Sequence, residues 1–176
     1  HYLCVSDRAG VSDPEPYWSV LDVAGSASSL PDGVDAVDHL ETVLDEAVHS
    51  QMISDVPLGA FLSGGVDSSS VVASMQRQSP DPVRTFTIGF SEASYDESGY
   101  AAEVAAALGT DHTDLVVSPD DAMRVIPDLP RVFDEPFADS SQIPTYLVSQ
   151  MARKHVTVAL SGDGGDELFG GYDRYQ

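Results

Sequence analysis

A chain of 176 residues with 42% hydrophobic side chains is long enough to bury one sizeable core, and it is not a disordered acidic tail in spite of a net charge of −21. With 29 acidic and 8 basic residues it offers no basic patch for nucleic acid, and its apolar runs are too short to span a bilayer. A single cysteine, Cys4, excludes an internal disulfide framework and a multi-cysteine zinc site, and reads as a small hydrophobe in a strand.

The acid is dispersed along the chain and Lys154 is the sole lysine. Such a surface repels itself at low ionic strength and is screened by salt, which points to a halophilic origin. No basic n-region or apolar h-region opens the chain, so no secretory signal is read and the cytoplasm is the expected compartment. Residues 1–33 have no clean period and carry turn signals at Arg8-Ala9-Gly10, Asp13-Pro14 and Pro31-Asp32-Gly33. They read as a connecting segment. From Val34, apolar residues at Val37, Leu40, Val43, Leu44, Ala47, Val48 and Met52 predict an amphipathic helix. Residues 58–62 predict a buried strand, and 68–77 a helix opened by Asp67. A second strand covers 83–90, an Ala-rich helix covers 100–108 and stops at Gly109, and a third strand covers 113–117. A helix follows from Pro119, another covers 143–153, and a fourth strand covers 156–160. Strands alternating with helices of this length predict an α/β fold with a doubly wound, mainly parallel sheet.

The sharpest local signal is Leu62-Ser63-Gly64-Gly65-Val66-Asp67-Ser68-Ser69, between a predicted strand and a predicted helix. Two glycines let the backbone approach a ligand, and N–H groups at a helix start attract anions. Asp67 among phosphate donors calls for a bridging cation, Mg²⁺. The run is neither a Walker A loop, lacking Gly-Lys-Ser/Thr, nor a GxGxxG turn. An ordinary strand–turn–helix with Asp67 or a serine as N-cap stays open. A second glycine-rich loop follows the fourth strand: Ser161-Gly162-Asp163-Gly164-Gly165-Asp166-Glu167-Leu168-Phe169-Gly170-Gly171-Tyr172. Both loops leave the carboxyl ends of strands, where open α/β sheets bind ligands. Asp67 and Asp166 can therefore clamp one Mg²⁺ from two strands. Asp139, Ser140, Ser141 and Gln142 can hydrogen-bond a polar ligand; alternatively Asp139 or Ser140 caps the next helix. The histidines show no ligand spacing. His112 and His155 read as strand-end residues, the first of them near a nucleotide.

Ser63 to Ser69 resembles the PP-loop of the ATP pyrophosphatases, a motif shared by GMP, NAD and argininosuccinate synthetases. Together with Asp55-Val56-Pro57-Leu58-Gly59, Phe86-Thr87-Ile88-Gly89-Phe90, Asp134-Glu135-Pro136 and the 161–172 loop, it makes residues 17–176 resemble the asparagine synthetases. The resemblance implies an adenine-nucleotide α-hydrolase-like fold and a ligase. In that chemistry a carboxylate attacks the α-phosphate of ATP, pyrophosphate leaves, and ammonia displaces AMP. It implies that Ser63, Gly64, Gly65, Asp67, Ser68 and Ser69 bind pyrophosphate, and that Asp67 and Asp166 hold Mg²⁺. Phe61, Ile88, Ser161 and Gly162 would surround adenosine. Asp139, Ser140, Ser141, Asp163 and Glu167 would meet aspartate. Asp163 stands where several relatives have glutamate, and the relatives' catalytic lysine falls beyond Gln176. Residues 1–33 are then the end of a glutaminase region, and 34–176 the N-terminal part of the ATP-binding domain. Ammonia would come from glutamine through that other domain. His1 stands where the glutaminase cysteine would, so this stretch is not expected to hydrolyse glutamine. A homodimer is compatible with the resemblance. Amidotransferases or β-lactam synthetases adenylating another carboxylate, and a catalytically dead nucleotide-binding relative, remain as alternatives.

Overall fold

The computed structural model describes residues 1–8, 10–26, 30, 32–91, 98–135 and 138–175. The chain divides into two compact units, His1–His39 and Leu40–Gln176. In the first, β1 (Val5–Ser6) pairs antiparallel with β2 (Gly10–Val11), and Tyr2 bridges to Glu15. Helix α1 (Val20–Gly25) is capped by the Ser19 hydroxyl. Residues 5–6 and 10–11 thus pair as strands where the sequence predicted a plain connector. None of its described residues is buried, so the unit carries no core. Cys4 lies outside β1 and is exposed, contrary to the strand expectation. Its backbone exchanges hydrogen bonds with Ser12, at 3.0 Å to the hydroxyl and 2.9 Å from the amide, so the hairpin uses its main chain and leaves the thiol outside.

Helix α2 (Ala36–Met52) begins within the first unit and runs on into the second. The second unit continues with β3 (Leu58–Phe61), α3 (Val66–Gln78), β4 (Arg84–Phe90), α4 (Ser98–Leu108) and β5 (Asp111–Val117). Then come α5 (Pro119–Val125), a 3₁₀ turn (Ile126–Asp128), α6 (Leu129–Val132), α7 (Gln142–Ala152), β6 (Val158–Leu160) and α8 (Gly165–Phe169). The sheet order is β5-β4-β3-β6 with every pairing parallel: Ala60 faces Thr85 and Leu160, and Phe86 faces Thr113. This is the predicted doubly wound α/β sheet.

Apolar side chains leave both faces of the sheet. On one, Ala60, Leu62, Val72, Met75, Ala101 and Ala105 form a core with Val48 of α2. On the other, Phe86 packs with Met151, Ala152 and Val156, and Val117 with Val125 and Leu147. Phe86 is 1% exposed, and burial of a phenylalanine contributes roughly 1.5–3 kcal/mol.

The helix ends follow local chemistry. Gly109 has φ 73° and its amide donates to Ala105 at 2.9 Å, so it closes α4 as predicted. Ser118 and Asp121 form a capping box at the start of α5, with Pro119 in the first turn. Helix α3 corrects the sequence reading. It starts at Val66 with Gly65 as N-cap, and no side chain makes the cap hydrogen bond. Asp67 sits one position inside the first turn, where a carboxylate complements the helix dipole. The fourth strand is shorter than predicted, because Thr157 is held by a bond from its amide to the Pro57 carbonyl at 2.9 Å before the ladder begins.

Candidate active site

From β3 the chain crosses to β4 and β5 on one side, and β6 then pairs on the other side of β3. The carboxyl ends of β3 and β6 therefore flank a topological switch point, the place where open α/β sheets form a ligand crevice. Ser63 to Ser69 leaves β3 there, and Ser161 to Tyr172 leaves β6.

The first loop is held from within. The Ser68 hydroxyl accepts from the Ser63 amide at 3.2 Å, lies 2.9 Å from the Ser63 hydroxyl and reaches the Gly65 carbonyl at 3.3 Å. Gly64 has φ 82°, and a Cβ there would come within 2.7 Å of the Ala101 amide nitrogen. Only glycine fits a left-handed turn against α4. The Ser69 hydroxyl oxygen is buried and has no hydrogen-bond partner among the described residues.

The second loop lies directly on the first. A Cβ on Gly162 would stand 2.7 Å from the Ser68 amide nitrogen, and one on Gly165 would collide with the Asp67 carboxylate. At Gly162 the two loops meet backbone to backbone, and at Gly165 the second loop meets the Asp67 side chain, so neither position has room for a side chain. The Ser161 hydroxyl donates to Asp163 at 3.0 Å, and the Gly165 amide to the Gly162 carbonyl at 3.2 Å.

Between the loops opens a cavity of about 630 Å³. Phe61, Ser63, Asp67 and Ser68 line it from β3 and α3. Ser161, Gly162, Asp163, Asp166 and Glu167 line it from the second loop, and Asp139 and Ser141 from the approach to α7. The structure thus brings most of the sequence-predicted site into one space. Phe61 and Ser63 also border a neighbouring cleft of about 260 Å³ formed with Phe86, Ile88, Phe90 and Val148. Ile88 belongs to this apolar cleft. Gly64, Gly65, Ser69 and Ser140 line neither space.

Asp139 accepts from the Ser141 amide at 2.8 Å, and this bond holds its carboxyl below the usual carboxylate range. The N-cap of α7 is Ser141, without a side-chain bond, so neither Asp139 nor Ser140 occupies that position; Asp139 instead makes a turn just ahead of it. Pro136 and Phe137, within the predicted substrate segment, lie outside the described residues. His112 is misplaced by the sequence reading. It stands second in β5, at the amino edge of the sheet, and therefore away from the switch point. Its Nδ1 is 2.9 Å from the Thr85 hydroxyl, Nε2 is buried without a partner among the described residues, and burial lowers its pKa below 6.5. His155 sits in the turn before β6, its ring centroid 5.8 Å from that of Phe86. Sequence reading also passed over Tyr172, which lines the large cavity and donates to Glu167 at 2.8 Å. Its signal was its place at the end of the second glycine loop. Among the described residues no three His, Cys, Asp or Glu groups gather into a metal nest.

The fold is that of the PP-loop, adenine-nucleotide α-hydrolase-like proteins. It is similar to the NH3-dependent NAD synthetase of Campylobacter jejuni, with TM-score 0.53 and 14% identity over 79% of this chain and 62% of that one. It is likewise similar to the NMN synthetase of Francisella tularensis, with TM-score 0.54 and 15% identity over 79% and 59%. A family model described as asparagine synthase matches residues 39–176, and the chain belongs to that family. It is 45% identical over 140 residues to asparagine synthetase (glutamine-hydrolyzing) 1 of Bacillus subtilis, covering 80% of this chain and 22% of that protein. It is 45% identical over 157 residues to putative asparagine synthetase (glutamine-hydrolyzing) 2 of Methanocaldococcus jannaschii, covering 89% and 30%. The chain thus spans less than a third of the length of these relatives. Among the described residues no helix is long and apolar enough to cross a membrane.

Proposed function

We propose that this domain activates the side-chain carboxylate of aspartate with ATP, as the first half of asparagine synthesis. The observation that carries the reading is the cavity in which serine hydroxyls, two acids from the segments that follow β3 and β6, and a polar turn meet at the switch point. The apolar cleft at Phe61 and Ile88 suits adenine. Ser63, Gly64, Gly65, Ser68 and Ser69, with the start of α3, bind the β- and γ-phosphates, and the unpartnered Ser69 hydroxyl is a donor in reserve. Ser161 and Gly162 border adenosine from the second loop. Asp163, Glu167 and Asp139 face the aspartate ammonium, and Ser140 and Ser141 its remaining polar groups.

Asp67 and Asp166 hold Mg²⁺. Two carboxylates without a third suit this ion, which takes one or two protein acids and completes its shell with phosphate and water. When bound it supplies neutralisation of the phosphate charge. A carboxylate oxygen of aspartate attacks the α-phosphorus, the bond to the bridging oxygen breaks, and pyrophosphate leaves with that electron pair. Ammonia then attacks the acyl carbon, AMP departs, and one proton is lost. The backbone N–H groups of the loops face the charge that develops, an electrostatic role needing no basic side chain. In the whole protein, glutamine supplies the ammonia through another domain, with residues 1–33 leading into the ATP-binding part at 34–176. The protein works in the cytoplasm, at high salt, and is compatible with a homodimer.

The test is aspartate-dependent exchange of labelled pyrophosphate into ATP by the intact protein. Carboxylate-labelled [¹⁸O]aspartate should pass its label to AMP. Release of ADP and orthophosphate would mean attack at the γ-phosphorus and overturn the reading.

A further inference from the structure

The loop that ends the described fold turns back on itself. Helix α8 closes at Gly170, whose φ of 67° reverses the chain. The Gly171 amide donates to the Asp166 carbonyl at 3.1 Å, and a Cβ at Gly171 would strike the Asp166 carboxylate. The reversal carries Tyr172 back beside the first turn of the same helix, where its hydroxyl donates to Glu167 Oε1 at 2.8 Å. The Tyr175 amide donates to the Tyr172 carbonyl at 2.9 Å, and the Tyr175 ring meets the Tyr172 ring edge to face at 5.4 Å. The phenol is thus tethered from behind and presented to the large cavity, which Tyr172 and Glu167 both line.

That cavity holds Asp67, Asp139, Asp163, Asp166 and Glu167. So many carboxylates in one space repel each other, and each is useful only if held in one orientation. A phenol is a neutral donor: it fixes a carboxylate without neutralising it, and the carboxylate keeps acceptor sites for a ligand. We infer that Tyr172 is a positioning residue for the acceptor amino acid, acting by holding Glu167 in the orientation that receives the substrate ammonium. This rests on the adenylation reading given above. Tyr172 does not touch the reacting atoms. Its removal therefore weakens capture of the amino acid and leaves the phosphate half of the site as it was.

The test is Tyr172→Phe in the intact protein, which keeps the ring and its contact with Tyr175. Pyrophosphate exchange is measured against aspartate and against ATP. A lost hydrogen bond to a charged group predicts a KM for aspartate raised about tenfold. The KM for ATP, the kcat and the Tm should stay near those of the unaltered protein. Glu167→Gln supplies the second arm. If Tyr172 acts through Glu167, adding Tyr172→Phe to Glu167→Gln changes the aspartate KM no further. An aspartate KM unmoved by Tyr172→Phe, or one raised equally in both backgrounds, overturns the inference while the adenylation reading stands. Absence of aspartate-dependent exchange in the unaltered protein overturns both.

Discussion

Gly162 is where the two loops meet backbone to backbone, and Gly162→Ala tests whether that contact builds the site. Its backbone is outside the left-handed region, so the change is purely steric. The new Cβ would stand 2.7 Å from the Ser68 nitrogen and 3.0 Å from both the Asp67 carbonyl carbon and the Ser68 Cα, where ordinary contact begins at 3.4 Å. The loop must withdraw by up to 0.7 Å. All three obstructing atoms are backbone of the first turn of α3, so no side-chain rotation relieves them. Overpacking of this kind costs about 1–3 kcal/mol. Alanine lowers the entropy of the unfolded chain and returns about 0.4–1 kcal/mol. The net is destabilisation by about 1–2 kcal/mol, or a fall in Tm of roughly 2–8 °C for a domain of this size. Nucleotide chemistry should suffer more, because a displacement near 1 Å costs on the order of a hundredfold when reactive groups are held by geometry. Calorimetry gives the Tm and pyrophosphate exchange the rate. Gly165→Ala is the comparison, since there the obstruction is a carboxylate able to rotate. Its Tm should move little while its Mg-dependent binding of ATP falls. A Gly162→Ala protein with unchanged Tm and exchange rate would refute the idea that backbone contact between the loops shapes the site.

Asp67→Asn should reduce the Mg-dependent part of ATP affinity by at least about tenfold, read by calorimetric titration with and without the ion; equal affinities in both proteins would remove Asp67 from the cation site. With a net charge of −21, Tm should rise between low and molar KCl as the Debye length shrinks from about 30 Å to about 3 Å, and a flat curve would count against the halophilic reading. His112 provides a pH prediction. Burial holds its folded pKa below 6.5, so the unfolded chain takes up the proton first. Its contribution is fully present above pH 6.5 and is lost as pH falls through that value toward the folded pKa. Tm should therefore decline below pH 6.5, and His112→Gln should flatten that part of the profile.

Much of this architecture was legible because it rests on local chemistry. The strands predicted at 58–62, 83–90 and 113–117 are found at 58–61, 84–90 and 111–117, alternating with helices bounded by recognisable signals such as Gly109 and Ser118. The two glycine loops were legible too, because a glycine cluster after a strand has few other uses. What escaped depended on neighbours distant in sequence. His112 could be assigned to the amino end of its strand, but which edge of the sheet that end lies on follows only from the parallel pairing with β4. The turn at Asp139 is set by one hydrogen bond to Ser141, while the residues themselves are equally good N-caps. Tyr172 has its role through a chain reversal at Gly170 and Gly171, and nothing in the composition of that run says which earlier residue the phenol meets. Cys4 was misjudged because its tripeptide is apolar while the unit around it has no interior.

The position of β6 has a consequence for how the protein acquires its activity. Strands β3, β4 and β5 are joined by successive crossovers and can pair as the chain emerges, but Leu58 finds its other neighbour, Val158, only after two further strands and five more helices have been made. Pairings between segments so far apart are slow, since the intervening chain must be ordered first. Asp67 is made about a hundred residues before Asp166, so a nascent chain carries the first glycine loop before the loop that lies on it. On the reading proposed above, a site with both acids in place forms only once β6 has paired with β3.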